Sequence, residues 1–257
     1  MRGLRVALTL AALGGLCGAS GCFETRYVLQ QGWAQLQVLN GRERIVDVLR
    51  RPDLPGDHRT KLAVVLLARA YGSEELGLRR TGAYTRFYNT GGKELAWALS
   101  ACPPDRLEAR VWRFPIVGGV PYLGFFERAD GLRKQRQLRA RGLDTYLRPV
   151  SAYSSLGFFA DPVYSPMLED DIPRLVDLVL HETTHTTIFL RNRVPFNESL
   201  AVFVGNQGTL NFLARLYGPT SPRVTAYAAR IGRRRRFSRL ITALYERLER
   251  LYARTDV

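Results

Sequence analysis

The sequence predicts an α+β domain, mostly helical, on three observations. Apolar residues recur at three- and four-residue spacing in long stretches near both ends of the chain, which marks amphipathic helices. From Tyr84 to Val150 the pattern changes to short apolar runs separated by Gly and Pro, which marks the strands of a small sheet expected from about Leu95 to Phe159. With 257 residues, 46% of them hydrophobic, the chain can bury a good core as one domain.

The first residues read as a segment outside that domain. Arg2 and Arg5 make a basic start, Val6 to Leu16 an apolar run, and Gly18, Ala19, Ser20 and Gly21 lead to Cys22. This is the pattern of a secretory signal, too short for a comfortable membrane span. Residues 1–21 are therefore expected to leave, with 22–257 as a single domain. Ala19-Ser20-Gly21-Cys22 also resembles a bacterial lipoprotein box, in which the chain is cut before Cys22 and acyl chains are attached there. Ordinary secretion with cleavage near Gly21, or an uncleaved anchor, is the alternative. Losing Arg2 and Arg5 lowers the formal net charge from +15 to +13. Of the other cysteines, Cys17 leaves with the signal and Cys102 has no partner, which makes it a small apolar side chain.

Helices are expected next, from Tyr27 to Leu49 and, after Pro52, Pro55 and Gly56, from about Arg59 to Tyr71. His58, at the entrance of the second, reads as a surface or capping residue. Strands are expected at Leu95 to Ala101, Val111 to Val117, Tyr122 to Phe126 and Thr145 to Val150, with a solvated helix from Arg128 to Arg141. Gly118-Gly119 is a turn and no phosphate loop, because no Lys-Ser/Thr follows. Val150 to Phe159 then reads as an extended segment just before the most informative part of the chain.

That part is His181-Glu182-Thr183-Thr184-His185. Asp170 and Asp171 with Pro173 supply a helix start, and Ile172, Leu175, Val176 and Val179 form one apolar face. Residues i and i+4 are neighbours on a helix, so His181 and His185 can offer both imidazoles to one metal ion. Glu182 lies beside them, where it can hold a water without being a ligand. H-E-x-x-H on a helix is a zinc metalloprotease signature. A third ligand is expected downstream, and Pro195 to Ala201 supplies the carboxylate of Glu198 where a second helix begins. This segment resembles the N-E-x-x-A element that gives the third ligand in thermolysin-like and aminopeptidase-like zincins.

The expected fold is thus a zincin-like domain whose small sheet packs on the H-E-x-x-H helix. In such proteins an edge strand near the metal pairs with an extended peptide. Val150 to Phe159 is the candidate, with Tyr153 and Ser155 placed to help polarise the scissile carbonyl; an internal strand whose aromatics only pack is the alternative.

Beyond Glu198, Gly205-Asn206-Gln207-Gly208 reads as a bend or interruption, and a helical pattern continues to Gly218-Pro219. The last stretch is the clearest amphipathic helix: Phe237, Leu240, Ile241, Leu244, Leu248, Leu251 and Tyr252 share a face, which reads as core-packing. Residues 213–257 hold eleven Arg and three acids, a local net of +8, and Arg233 to Arg236 form an unbroken run. For an exported chain with no nucleic-acid fold signature, that patch reads as facing lipid or solvent, with no nucleic acid expected. Only Lys61, Lys93 and Lys134 are lysines, so the arginine bias is not read residue by residue as phosphate binding.

Taken together, these residues resemble a bacterial family of predicted zinc aminopeptidases, many of them lipoproteins. The resemblance rests on Gly21-Cys22 with Tyr27 to Leu36 and on Trp112 to Gly118. Pro121 to Gly124, Ala152 to Phe159 with Asp161-Pro162, H-E-x-x-H, and Phe196 to Ser199 complete it. It covers most of Cys22 to about Gly208. It departs at Thr183 and Thr184, where an apolar pair such as Leu-Ala is expected. The resemblance implies one zinc ion held by His181, His185 and Glu198, Glu182 as general base, and a peptide substrate. It also implies a lipid-anchored place in the bacterial cell envelope; Phe23 after the cysteine, rather than Asp, points to the outer membrane. An endopeptidase, or an envelope lipoprotein with a structural zinc site, are the alternatives. Glu169, Asp170 and Asp161 are the acids available to bind a substrate's free amine.

Overall fold

The computed structural model describes residues 22–114, 118–150, 160–191 and 193–254. Two compact units divide the chain, residues 1–41 and 42–257. The described part of the first is one helix, α1 (Cys22–Gly41). The helix expected to run from Tyr27 to Leu49 ends earlier than that. Asn40-Gly41 is a turn dipeptide, and the chain then enters strand β1 (Glu43–Arg44) before a single helical turn, α2 (Ile45–Val48).

In the second unit, α3 (Gly56–Glu74) follows the prolines, with Leu62, Val64, Val65 and Ala68 buried. Strand β2 (Arg86–Tyr88) pairs antiparallel with β1 and parallel with β8 (Val163–Tyr164), in the register Phe87 to Val163. Between β2 and β8 the chain makes a long excursion. Its centre is β3 (Ala96–Cys102), flanked by the antiparallel strands β6 (Leu123–Phe125) and β7 (Asp144–Val150). A two-stranded ribbon, β4 (Trp112–Phe114) with β5 (Gly118–Val120), stands apart from this sheet. The excursion carries its own cover, α4 (Arg128–Arg139), which packs on β3, β6 and β7. Gly131 makes that approach possible, because a Cβ there would stand 2.9 Å from Leu147 Cδ1.

The rest is helical. A 3-10 turn (Ser165–Glu169) leads into α5 (Ile172–Thr187), α6 (Val194–Tyr217) and α7 (Pro222–Tyr252). The core lies where α5 packs against α3 and α6. Leu62, Val65, Leu175, Val176, Val179, Leu180, Ala201 and Leu213 are completely buried there. Each large aliphatic side chain contributes roughly 1.5–3 kcal/mol by leaving water. Tyr71 of α3 adds an edge-to-face contact with Phe212 of α6, ring centroids 5.5 Å apart.

Three expectations change. Among the described residues, the small sheet is covered by α4 rather than resting chiefly on the H-E-x-x-H helix, and α3 and α6 are the principal partners of α5. Gly205 to Gly208 do not interrupt the chain but lie inside the continuous helix α6. They serve close approach, since a Cβ at Gly208 would stand 2.8 Å from Leu180 Cδ1 and 2.9 Å from Leu76 Cδ1. The C-terminal amphipathic face is not core. Only Tyr227 and Ile231 of α7 are buried, and Phe237, Leu240, Ile241, Leu244 and Leu251 are exposed.

Candidate metal centre

The site is built by two helices adjacent in sequence. Asp171 caps α5, its carboxylate accepting from the Arg174 amide at 2.9 Å. Burial pushes the Asp171 carboxyl up. The hydrogen bonds from Arg230 and the Arg174 amide, with the charges of both arginines, outweigh it and hold the group below its ordinary value. Leu175, Val176, Val179, Leu180 and Thr184 give α5 its buried face. His181 and His185 lie one turn apart beside it, rings edge to face with centroids 4.9 Å apart. Thr183 and Thr184, the departure from an apolar pair, donate their hydroxyls to the carbonyls of Val179 (2.6 Å) and Leu180 (2.8 Å). This back-bonding satisfies the buried Thr184 hydroxyl without leaving the helix.

Glu198 reaches the histidines because α6 comes very close to α5. At Gly205, two turns beyond Glu198, a Cβ would stand 2.6 Å from Asp177 Oδ1 and 3.4 Å from His181 Cβ. The loop between the helices is closed by Asn197, which is buried. Its side chain accepts from the Leu190 amide at 2.9 Å and donates to the Leu190 carbonyl at 2.8 Å. Glu198, the next residue, then places one oxygen 3.5 Å from His181 Nε2 and the other 3.4 Å from His185 Nε2. One ligand atom from each of the three residues lies within 4.8 Å of the others.

This donor set fits a metal ion. Donors about 2.0–2.2 Å from a tetrahedral centre stand roughly 3.3–3.6 Å from one another; each imidazole lies at such a separation from a different oxygen of Glu198, so small side-chain adjustments bring three donors onto one ion. Two imidazoles and a carboxylate are the donor types of an open three-ligand site, and the group has no fourth member among the described residues. The tautomer that frees Nε2 of His185 puts its proton on Nδ1, which is buried with no partner among the described residues.

Around the donors the structure adds residues that the sequence did not mark. Tyr84 is buried and has φ 56°, the only positive value outside glycine among the described residues. Burial raises its phenol well above the ordinary value, and the carboxylates of Glu182 and Asp161 raise it further. A neutral phenol therefore shares the surroundings of Glu182. Nothing local announces Tyr84; only the tertiary fold brings it to α5.

Of the three acids considered for amine binding, Asp161 is buried and acts on the same phenol as Glu182. Glu169 is exposed, 3.8 Å from His58, and Asp170 pairs with Arg174 at 3.0 Å. His58 is thus away from the donor cluster. Tyr153 and Ser155 lie outside the described residues, Cys22 is the first residue of α1, and Cys102 is a free thiol at the end of β3. Phe189 and Leu190 after α5 and Phe196 in the first turn of α6 are exposed, an apolar margin between the candidate donors.

Comparison with known proteins finds no match among curated sequences and none among solved structures. The family described as "Putative aminopeptidase" matches residues 26–257, which takes in both helices of the site. The chain belongs to that family, and at the coarse level its members are described as peptidases.

Proposed function

We propose that the protein is a zinc-dependent peptidase, and specifically an aminopeptidase. The observation that carries this reading is the convergence of His181, His185 and Glu198, with Glu182 following the first histidine. Zinc bound there supplies a Lewis acid for the scissile carbonyl and lowers the pKa of a water. The chain's own residues do the rest. Glu182 orients the attacking water, accepts its proton and passes it to the leaving amine. Burial and the charges of Glu182 and Asp161 keep the Tyr84 phenol protonated. The exposed side chains of Phe189 and Phe196 offer apolar surface to a substrate side chain. Asp161, a buried acid whose carbonyl accepts from the Tyr84 amide at 2.7 Å, is the candidate to bind a free α-amine.

The test separates binding from chemistry. Glu182→Gln is expected to keep one zinc per chain and lose turnover on a peptide the parent cleaves. Full activity of that variant would sink the assignment of the base. Profiling free against N-blocked peptides distinguishes an aminopeptidase, which requires the free amine, from an endopeptidase.

A further inference from the structure

We propose that the distal part of α7, residues 233–252, is an interfacial helix that docks on an anionic lipid bilayer. The helix has two halves with different surroundings. Its beginning is anchored: Tyr227 and Ile231 are buried, Arg230 pairs with Asp171 at 2.7 Å, and Arg234 pairs with Asp177 at 3.0 Å. Beyond Arg234 the helix continues to Tyr252, and no ion pair to another element is found there among the described residues.

This distal half is amphipathic in a particular way. Phe237, Leu240, Ile241, Leu244, Leu248 and Leu251 fall on one side at ~100° per residue. All except Leu248, which is half-buried, are exposed. Arg236 and Arg247 run along one edge of this stripe, and Tyr245 and Tyr252 along the other. Glu246 and Glu249 lie away from it. Residues 233–252 hold seven Arg and two acids, a net of +5. No helix among the described residues is long and apolar enough to cross a membrane.

Lipid is the occupant that fits each of these features. An apolar stripe enters the acyl boundary, flanking arginines meet phosphate headgroups, and tyrosines stay at the polar–apolar border. A nucleic acid would use the arginines and leave the apolar stripe in water. A second copy of this helix would bring arginine edges together without acids opposite them.

The test uses residues 22–257, the expected mature chain, with Cys22→Ser, so that neither an acyl chain nor the apolar run from Val6 to Leu16 contributes. Co-sedimentation is measured with vesicles of POPC alone and of POPC with 30% POPG, and amide exchange is followed peptide by peptide. Exchange across residues 237–252 is expected to slow with the anionic vesicles and not with POPC. Arg236→Gln, Arg247→Gln and Arg250→Gln together should lower partitioning on the order of 100-fold, about fivefold per arginine. The melting temperature should be unchanged, because these side chains are exposed. Leu244→Ser with Leu251→Ser should abolish the local protection. Equal binding to both vesicles would overturn the proposal, as would binding indifferent to the arginine changes. So would protection of 237–252 without vesicles, which would mean that the chain or a second copy covers the face. Protection by a DNA duplex and not by vesicles would assign the surface to nucleic acid.

Discussion

Gly205→Ala adds one methyl group at the closest approach of α5 and α6. The new carbon would stand 2.6 Å from Asp177 Oδ1 and 3.1 Å from the Asp177 carbonyl oxygen. The carboxylate can swing only by giving up its 3.0 Å ion pair with Arg234, and the carbonyl is backbone. Restoring an ordinary carbon–oxygen contact of about 3.3–3.6 Å moves α6 away by roughly 0.2–0.5 Å. Glu198 rides on the same helix about two turns away, and metal–ligand distances tolerate only about 0.2 Å. Zinc affinity is therefore expected to fall about 10–100-fold. Overpacking costs about 1–3 kcal/mol and the better helix former returns up to about 1 kcal/mol, so stability should fall by about 0–3 kcal/mol. Competition with a chromophoric chelator reads the affinity, and urea melts of the metal-free protein read the stability. Gly208→Ala is the control: its Cβ meets only the ends of Leu180 and Leu76, which can yield, so zinc affinity should hold. Parental zinc affinity in Gly205→Ala, or an equal loss in Gly208→Ala, would refute the reasoning.

Three other outcomes follow. Asn197→Ala leaves the Leu190 amide and carbonyl without their side-chain partners and should cost about 1–3 kcal/mol, read by urea melts, with weaker zinc binding because Glu198 is the next residue. The Asp171 carboxyl lies below its ordinary value in the folded chain, so its contribution is complete above the unfolded value of about 3.9. It is lost as pH falls through the lower folded value; Asp171→Asn should flatten the acid limb of a stability–pH curve, and an unchanged limb would show that Asp171 does not shape it. Finally, if Cys22 is acylated, as Ala19 to Cys22 indicate, Cys22→Ser should block processing or release the protein from membranes; fractionation that finds it processed and membrane-bound like the parent would remove the lipid anchor.

The H-E-x-x-H helix was legible because its signals are local. Asp171, Pro173 and the spacing of Leu175, Val176 and Val179 fix α5, and i, i+4 spacing puts His181 and His185 on one face. Glu198 was legible as a carboxylate at a helix start. Other features depend on packing that a sequence does not display. Gly205 and Gly208 look like breaks by propensity, yet the gain from close contact with α5 keeps α6 continuous. The apolar face of α7 announces amphipathicity, but the same pattern serves a core or a surface. Strands β1, β2 and β8 are two or three residues long, too short for period-two alternation to register. Tyr84 adopts a left-handed backbone without being glycine, held by its amide's 2.7 Å bond to the Asp161 carbonyl; no neighbour in sequence predicts that.

The pairing of β2 with β8 bears on the order in which the chain assembles. Phe87 and Val163 are 76 positions apart (163 − 87), whereas His185 and Glu198 are 13 apart (198 − 185). Closing the larger loop costs about 1.5 kcal/mol more chain entropy than closing the smaller one. The α5–α6 hairpin is thus of lower contact order than the mixed sheet, able to form early and to gather the three candidate donors before that sheet is complete. The excursion from β2 to β8 carries its own sheet and cover, so changes in its length fall on the late step and leave the early one intact.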